Sequence, residues 1–339
     1  MDANKSFGAN IKVNSVTTGF NVIKDLGDPG CWKADENDPT IISEFIGYKD
    51  NNENNKFDET DELKKECEVY FKKDTDNYYI VNVPSDYAGY NFTKVGNNLL
   101  TGFEFDENGE PSTPNEYSKI KSLTINDNIT TIGETGDEAF SPSFAGLGFG
   151  VEDPGYSLEV QLPANLITIG NASFAISKIT LINIPEKVKT IVDAAFSGCN
   201  ITTNDDNPLV IPESVTYIGN SAFGSNSKLT KLEFEGLNTA VTNDNQLTIK
   251  SYAFTYCGLD YRKADKPLEL PARLTFVDKD TFYTSVGNDM NLHFIRYHGT
   301  KETLNTFGNN SLGWAGNTKY VKTAEEYNVE EAKNYETTE

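Results

Sequence analysis

Positive charge and histidine are what this chain has least of for its size. Lys and Arg number 29 against 51 Asp and Glu, a net charge of −22 over 339 residues. No stretch gathers Lys and Arg into a patch, so the phosphate contacts of a nucleic-acid binder have no source. Anionic membrane surfaces are disfavoured for the same reason. The two histidines, His293 and His298, lie five apart in a segment that reads as extended, hence on opposite faces. Neither accompanies a nucleophile motif, and GxSxG and HExxH are both absent. Acid–base chemistry would fall to carboxylates alone, as in glycosidases, and no pair stands out.

Long apolar runs are missing too. Nothing approaches the ~18 residues that cross a bilayer. The opening MDANKSFGAN has neither a basic n-region nor an apolar h-region, so export implies a leader trimmed from this sequence. The four cysteines form no CxxC, which removes zinc-ribbon and thioredoxin-type sites. A hydrophobic content of 37%, with 12% aromatic, still suffices for a core, and the length fits one or two domains.

What the chain does have is one phrase restated. IPESVTYIGNSAF (211–223), LPANLITIGNASF (162–174), IPEKVKTIVDAAF (184–196) and, more loosely, LPARLTFVDKDTF (270–282) share one apolar grammar. Phe174, Phe196, Phe223 and Phe282 each fall eleven positions after Pro163, Pro185, Pro212 and Pro271. Ile169, Ile191, Ile218, Ile249 and Val277 each sit five before a phenylalanine, with Phe254 closing the fourth copy. A divergent copy runs from Ile125 through NITTIG to Phe140. Spacing that is constant within copies and variable between them marks stacked units with loop insertions. Apolar residues alternate before each proline, as in Leu209/Ile211 and Leu268/Leu270, so a strand with one inward face is expected there. Proline, lacking an N–H, ends that ladder at the same rung. Stacking then lays Phe over Phe and Ile over Ile, a core that no single copy can make.

These residues resemble the BspA-like leucine-rich repeat, a bacterial surface type also found in treponemes and some parasitic protists. LVIPESVTYIGNSAF and INIPEKVKTIVDAAFSGC carry the resemblance, which covers 120 to about 300. It implies a repeat solenoid: a right-handed, β-rich α/β superhelix, horseshoe-like, with a parallel sheet on the concave face and terminal caps. LHFIRYHGTKETLNTFGNNSLGWAG resembles the closing of such arrays, with a final Ile295/Tyr297 rung and a Trp-bearing cap. A further copy is read upstream by aligning FTKVGNNLL (92–100) with VTYIGNSAF, Val83-Pro84 being its strand end. If that alignment holds, 78–105 is the first repeat and DENGEPSTPNEYS an insertion loop; otherwise that segment links two domains. The reading divides the chain into an N-terminal cap or small domain (1–77), a solenoid (78–300) and a C-terminal cap with an acidic tail (301–339).

Candidate sites follow from this frame. Cys199 and Cys257 lie three after a repeat phenylalanine, where other copies place Ser177 and Asn226, so a small packing residue is expected. They stand two rungs apart, roughly 10 Å, beyond disulfide reach. Cys31 and Cys67 lie outside the repeats and can pair in an exported protein. DNNENNKFDETD sets Asp50, Asn52, Asn54, Lys56, Asp58 and Asp61 at the ligand spacing of a calcium loop. Asn55 stands where such loops carry glycine, and the other reading is a solvated Asx-rich loop. No other metal or cofactor is expected.

The strand positions between inward residues, Thr124, Gln161, Asn183, Val210, Glu233, Glu269 and Arg296, form a mixed polar row on the expected concave face. With neither an aromatic nor a basic stripe, that row suits an extracellular protein ligand. The loops 141–157, rich in Phe and Gly, and LDYRKADKP (259–267), densest in positive charge, are rival binding surfaces. The resemblance implies a non-enzymatic, cell-surface or secreted protein for adhesion or protein–protein contact. The alternative, a carbohydrate-binding or cell-wall module, would show exposed aromatics clustered on one face. An enzyme would need converging carboxylates in a deep pocket of the N-terminal region or the caps.

Overall fold

The computed structural model describes residues 30–54, 56–135, 142–283, 291–307, 312 and 319–336. Its longest sheet comes from the short segments between proline and phenylalanine. Nine strands run in the order Trp32–Ala34, Ile41–Phe45, Lys94–Val95, Thr131–Ile132, Thr168–Ile169, Thr190–Ile191, Tyr217–Ile218, Leu247–Ile249 and Leu274–Val277. From Ile41 onward every pairing is parallel. Ile132, Ile169, Ile191, Ile218, Ile249 and Val277 stand opposite one another rung by rung, with β-branched side chains turned inward.

The strands at the pre-proline position, four of which run into a proline, make a second wall with their neighbours, in three pieces rather than the single sheet expected. One joins Phe71–Lys73, Tyr79–Val83, Ile120–Ile125 and Glu159–Gln161; another pairs Leu209–Ile211 with Leu232–Phe234. The last joins Leu268–Leu270, Phe294–Tyr297 and Tyr320–Thr323. Ile182 and Ile184 stay buried around exposed Asn183, yet they lie outside the ladder. The phenylalanine segments form a third laddered side. Phe174 N–H donates to Ala195 O (2.8 Å), Phe196 to Ala222 (2.7 Å), Phe223 to Ala253 (2.8 Å) and Phe254 to Thr281 (2.8 Å).

Between these walls the rings stack. Phe144, Phe174, Phe196, Phe223, Phe254 and Phe282 follow one another at centroid spacings of 5.5, 5.3, 5.4, 5.4 and 5.5 Å, their planes within 24° of parallel. None is more than 2% exposed, so each contributes the ~1.5–3 kcal/mol of full burial. The ring over Phe174 is Phe144; Phe140, which carries the Ala-Phe signature, lies outside the described residues. Leu100 takes the next place, its N–H on Ser143 O (3.0 Å) as that of Phe144 is on Ser173 O (2.7 Å). The FTKVGNNLL segment is therefore in the stack, with Val83 opposite Ile125 and Val95 opposite Ile132. The sheet also runs across the expected 77/78 division, because Ile42 pairs with Val95.

Two regularities explain the small residues around each phenylalanine. The residue two before it holds a left-handed backbone in the five units from Phe174 to Phe282: Ala172 (φ 48°), Ala194 (54°), Ser221 (52°), Tyr252 (61°) and Asp280 (55°). That region crowds Cβ, which favours short side chains. The residue three after it donates to the preceding unit's phenylalanine carbonyl: Ser177 to Phe144 O (3.0 Å), Cys199 to Phe174 O (3.1 Å), Asn226 to Phe196 O (2.9 Å), Cys257 to Phe223 O (3.2 Å). Burial pushes both thiols up to about 12, so they stay protonated donors.

Both ends carry added material. Cys31 and Cys67 are joined by a disulfide, their Cα atoms 5.5 Å apart. Beside it Trp32, Phe45, Phe71, Phe57 and Tyr79 form a buried aromatic cluster. At the far end Ile295 and Tyr297 pair with Leu268 and Leu270, but they are not the final rung. Tyr320–Thr323 adds a further parallel strand outside them. Trp314, expected in this cap, lies outside the described residues.

Candidate interaction cleft

The unit closed by Phe254 lacks the proline turn. Between Phe234 and Leu247 its chain leaves the coil through the insertion EGLNTAVTNDNQ, and the next pre-proline strand, Leu268–Leu270, does not pair with Leu232–Phe234. Tyr261 fills the break. Leu232 N–H donates to its hydroxyl oxygen at 2.7 Å, and that hydroxyl donates to Leu232 O at 2.6 Å. One side chain thus satisfies a donor and an acceptor that a neighbouring strand would have taken.

The break opens a hollow of about 440 Å³. Leu232, Phe234, Leu237 and Pro267 supply apolar walls, and Glu233, Glu269, Lys231, Lys266 and Asp205 line it with charge. A second hollow of about 480 Å³ shares Asp205, Lys231, Tyr261 and Lys266, and continues to Asp260, Arg262, Lys263 and Asp265. The polar strand row and the 259–267 loop, separate candidates in the sequence, therefore meet at one place.

Most charges here are already committed. Asp205 accepts from Lys231 and from Lys266, each at 2.9 Å, and these two ammonium groups hold its carboxyl down to about 2. Lys231 also donates to Asp260 O (2.7 Å) and lies 5.0 Å from the centre of the Tyr261 ring. Arg262 grips Asp260 through two nitrogens at 3.0 Å. Glu269 takes Arg296 through two nitrogens, Nε at 2.9 Å, and His298 Nε2 at 2.8 Å; His298 Nδ1 reaches Asn238 Oδ1 at 2.9 Å. Glu233 is exposed and has no such partner among the described residues.

The other row positions stand where the alternation put them. Thr124 faces Gln161, Val210 faces Glu233 and Glu269 faces Arg296 across paired strands. Gln161, Asn183 and Glu233 are exposed; Thr124, Val210, Glu269 and Arg296 are partly covered. The ladder does not carry the row unbroken past Asn183 or across the cleft. His293 is buried while His298 lies at the surface network. Sequence reasoning missed Tyr261, whose only signal was an aromatic residue in a charged insertion. It also missed Arg273, whose fully buried guanidinium donates to Val215 O (2.5 Å) and Pro212 O (3.1 Å) across the unit that has no turn.

The 50–61 loop is closed by its own side chains. The Asn52 and Asn54 amides each donate to Asp58 Oδ2 at 2.7 Å, and Thr60 donates to Asp58 Oδ1 from N–H (2.8 Å) and hydroxyl (2.7 Å). These bonds, Thr60 first, bring the Asp58 carboxyl down to about 2. Asn55 lies outside the described residues. Among the described residues no group of three or more His, Cys, Asp or Glu is gathered to hold a metal. No described helix is long and apolar enough to cross a membrane.

Residues 157–287 match the family described as BspA type leucine rich repeat region, in six copies. No curated protein matches the sequence. Among solved structures the chain is similar to a leucine-rich repeat protein of T. pallidum, at 15% identity over 68% of this chain and 76% of that one, TM-score 0.40. It is also similar to the pneumococcal vaccine antigen PcpA, at 18% identity over 66% of this chain and 40% of that one, TM-score 0.34. A leucine-rich repeat protein of Bacteroides ovatus gives 17% identity over 81% and 74%, TM-score 0.34.

Proposed function

We propose that this chain, a BspA-type leucine-rich-repeat array over residues 157–287, is a non-enzymatic module that holds a protein partner outside the cell. The contact runs through the row Thr124, Gln161, Asn183, Val210, Glu233, Glu269 and Arg296 and through the cleft beside Tyr261. One observation carries this reading. Inward positions are spent on the stack, while the outward ones stand at matched register on paired strands and differ in residue type from unit to unit. A polar row interrupted by one apolar-walled hollow suits protein contact, where a buried anchor sits inside a wetter rim. The Cys31–Cys67 bridge supports an oxidising, extracellular or surface location.

The test is retention from a pool of extracellular proteins by the immobilised chain, with and without Glu233→Lys and Gln161→Lys. Glu269 is unsuited to this, since its reversal would also release Arg296 and His298. A retained partner lost in the double variant supports the row. Retention that ignores both changes defeats it.

One observation favours a second reading, carbohydrate or cell-wall binding. Tyr252 and Tyr256 are 39% and 44% exposed on the phenylalanine side, where other units carry Ala, Ser or Gly at most equivalent positions. Tyr283 lies 5.8 Å from Tyr256, edge to face. Sedimentation with insoluble cell-wall polysaccharide that disappears on Tyr252→Ala and Tyr256→Ala would move the assignment there.

A further inference from the structure

The tip of the loop that walls the Tyr261 cleft is held from outside the repeats. Its two ends are fixed by strands: Asp260–Tyr261 pairs with Asn291–Leu292, and Leu268–Leu270 with Phe294–Tyr297. Between them Ala264 is fully buried, while Lys263, Asp265 and Lys266 around it are exposed. Both backbone polar atoms of Ala264 are taken by one segment, 63 to 72 residues further along the chain. Its N–H donates to Glu336 Oε1 at 2.8 Å, and its carbonyl accepts from the Tyr327 hydroxyl at 2.9 Å.

Tyr327 reaches the other wall as well. Its ring centre lies 5.4 Å from the guanidinium of Arg296, the group that grips Glu269 in the strand row. One residue thus touches both sides of the cleft, the loop through its hydroxyl and the strands through its ring. The segment that carries it is lightly held. Val329–Ala332 is a single helical turn capped by Asn328, and Lys333–Tyr335 adds one turn of 3-10 helix. Within 327–336 Ala332 alone is buried, packed with Ala264, Phe294 and Tyr320 in a small cluster apart from the main core. A segment with so few buried contacts opens at a fraction of the global unfolding free energy.

We propose that Tyr327–Glu336 is a strap across the Tyr261 cleft. Seated, it pins the loop tip and keeps Lys266 on Asp205; lifted, it lets the tip swing out and uncovers Lys231 and the apolar wall behind it. The consequence for a partner, admission of a larger anchor once the strap is lifted, rests on the cleft being the contact site. The movement itself does not, and its test needs no partner.

Glu336→Ala with Tyr327→Phe removes both bonds to Ala264 and keeps the ring beside Arg296. Two measurements on the full chain follow the tip rather than the lost bonds. Exchange of the Lys266 amide, which donates to Lys263 O at 3.1 Å, should quicken roughly ten- to a hundredfold, the worth of two hydrogen bonds. Acetylation of the Lys231 ammonium, 21% exposed, should quicken severalfold, with no change at exposed Lys187. Glu336→Gln with Tyr327 kept retains an acceptor oxygen and should leave both rates near native. Unchanged Lys266 exchange overturns the strap, and so does faster exchange with Lys231 still shielded. If stack amides such as that of Phe223 quicken to the same degree, the segment is a plain end cap and the proposal falls. Any of these failures leaves the row reading standing, because that reading is judged by partner retention.

Discussion

The hydroxyl of Tyr261 does for Leu232 what a neighbouring strand does elsewhere: it accepts from its N–H at 2.7 Å and donates to its carbonyl at 2.6 Å. Tyr261→Phe keeps the ring and removes both bonds, leaving a buried donor and acceptor unmatched. The expected loss is about 1–3 kcal/mol, read as a lower urea midpoint with an unchanged slope. An unshifted midpoint would mean that water or the Leu268–Leu270 strand closes the gap unaided.

The ring column predicts a steeper cost at its middle than at its ends. Phe223 lies between Phe196 and Phe254 at 5.4 Å on each side. Phe223→Ala is expected to cost about 3–5 kcal/mol, since both neighbours lose a packed face and the backbone ladder resists collapse. Phe282→Ala, with Phe254 its one stacked phenylalanine among the described residues, should cost less. Equal urea midpoints for the two variants would contradict a continuous column.

Acid should loosen the 259–267 loop before it unfolds the array. Asp205 has a folded-state carboxyl brought from the usual 3.8 to about 2 by Lys231 and Lys266. Because the folded value is the lower one, the stabilisation is complete above the unfolded value, near 3.8, and fades as pH falls through about 2. Urea midpoints taken from pH 5 downward should drop in the native chain, and the drop should be shallower in Asp205→Asn. Parallel curves would exclude this pair as a contributor.

Calcium should leave thermal stability unchanged. Asn52 and Asn54 point amide donors at Asp58, so the carboxylate is satisfied within the loop. A bound ion at a hundredfold its Kd would add about 2.7 kcal/mol, a readily measured rise in Tm. Such a rise, lost on Asp50→Ala, would restore the calcium reading of 50–61.

The column and the nine-stranded sheet were readable because both rest on fixed offsets: eleven from proline to phenylalanine, five from isoleucine to phenylalanine. Where an insertion falls inside the offset, that reading misled. The Ala-Phe signature at Phe140 drew the eye, while Phe144, four residues on, stacks on Phe174. Ile42 was hidden for a related reason: Pro39 and Phe45 each lie three residues from it, so its strand joins the sheet without the repeat's spacing. The outward row was legible in direction only. Alternation shows that Glu269 and Arg296 leave the core, but not that they grip each other and so offer a partner less charge than their names suggest. The cleft was unreadable, because Tyr261 acts through an insertion that follows no period.

Arg273 has a bearing on descent as well as on shape. Solenoids lengthen and shorten by copying or deleting whole modules, provided each junction resembles the next. Here the guanidinium of one module is anchored to Pro212 and Val215 two modules earlier, over a member that has lost its corner. Excision or duplication between these points would strand an interior cation, so the stretch from Leu209 to Leu274 is expected to pass between relatives as one cassette. Variation in copy number should then be confined to its flanks.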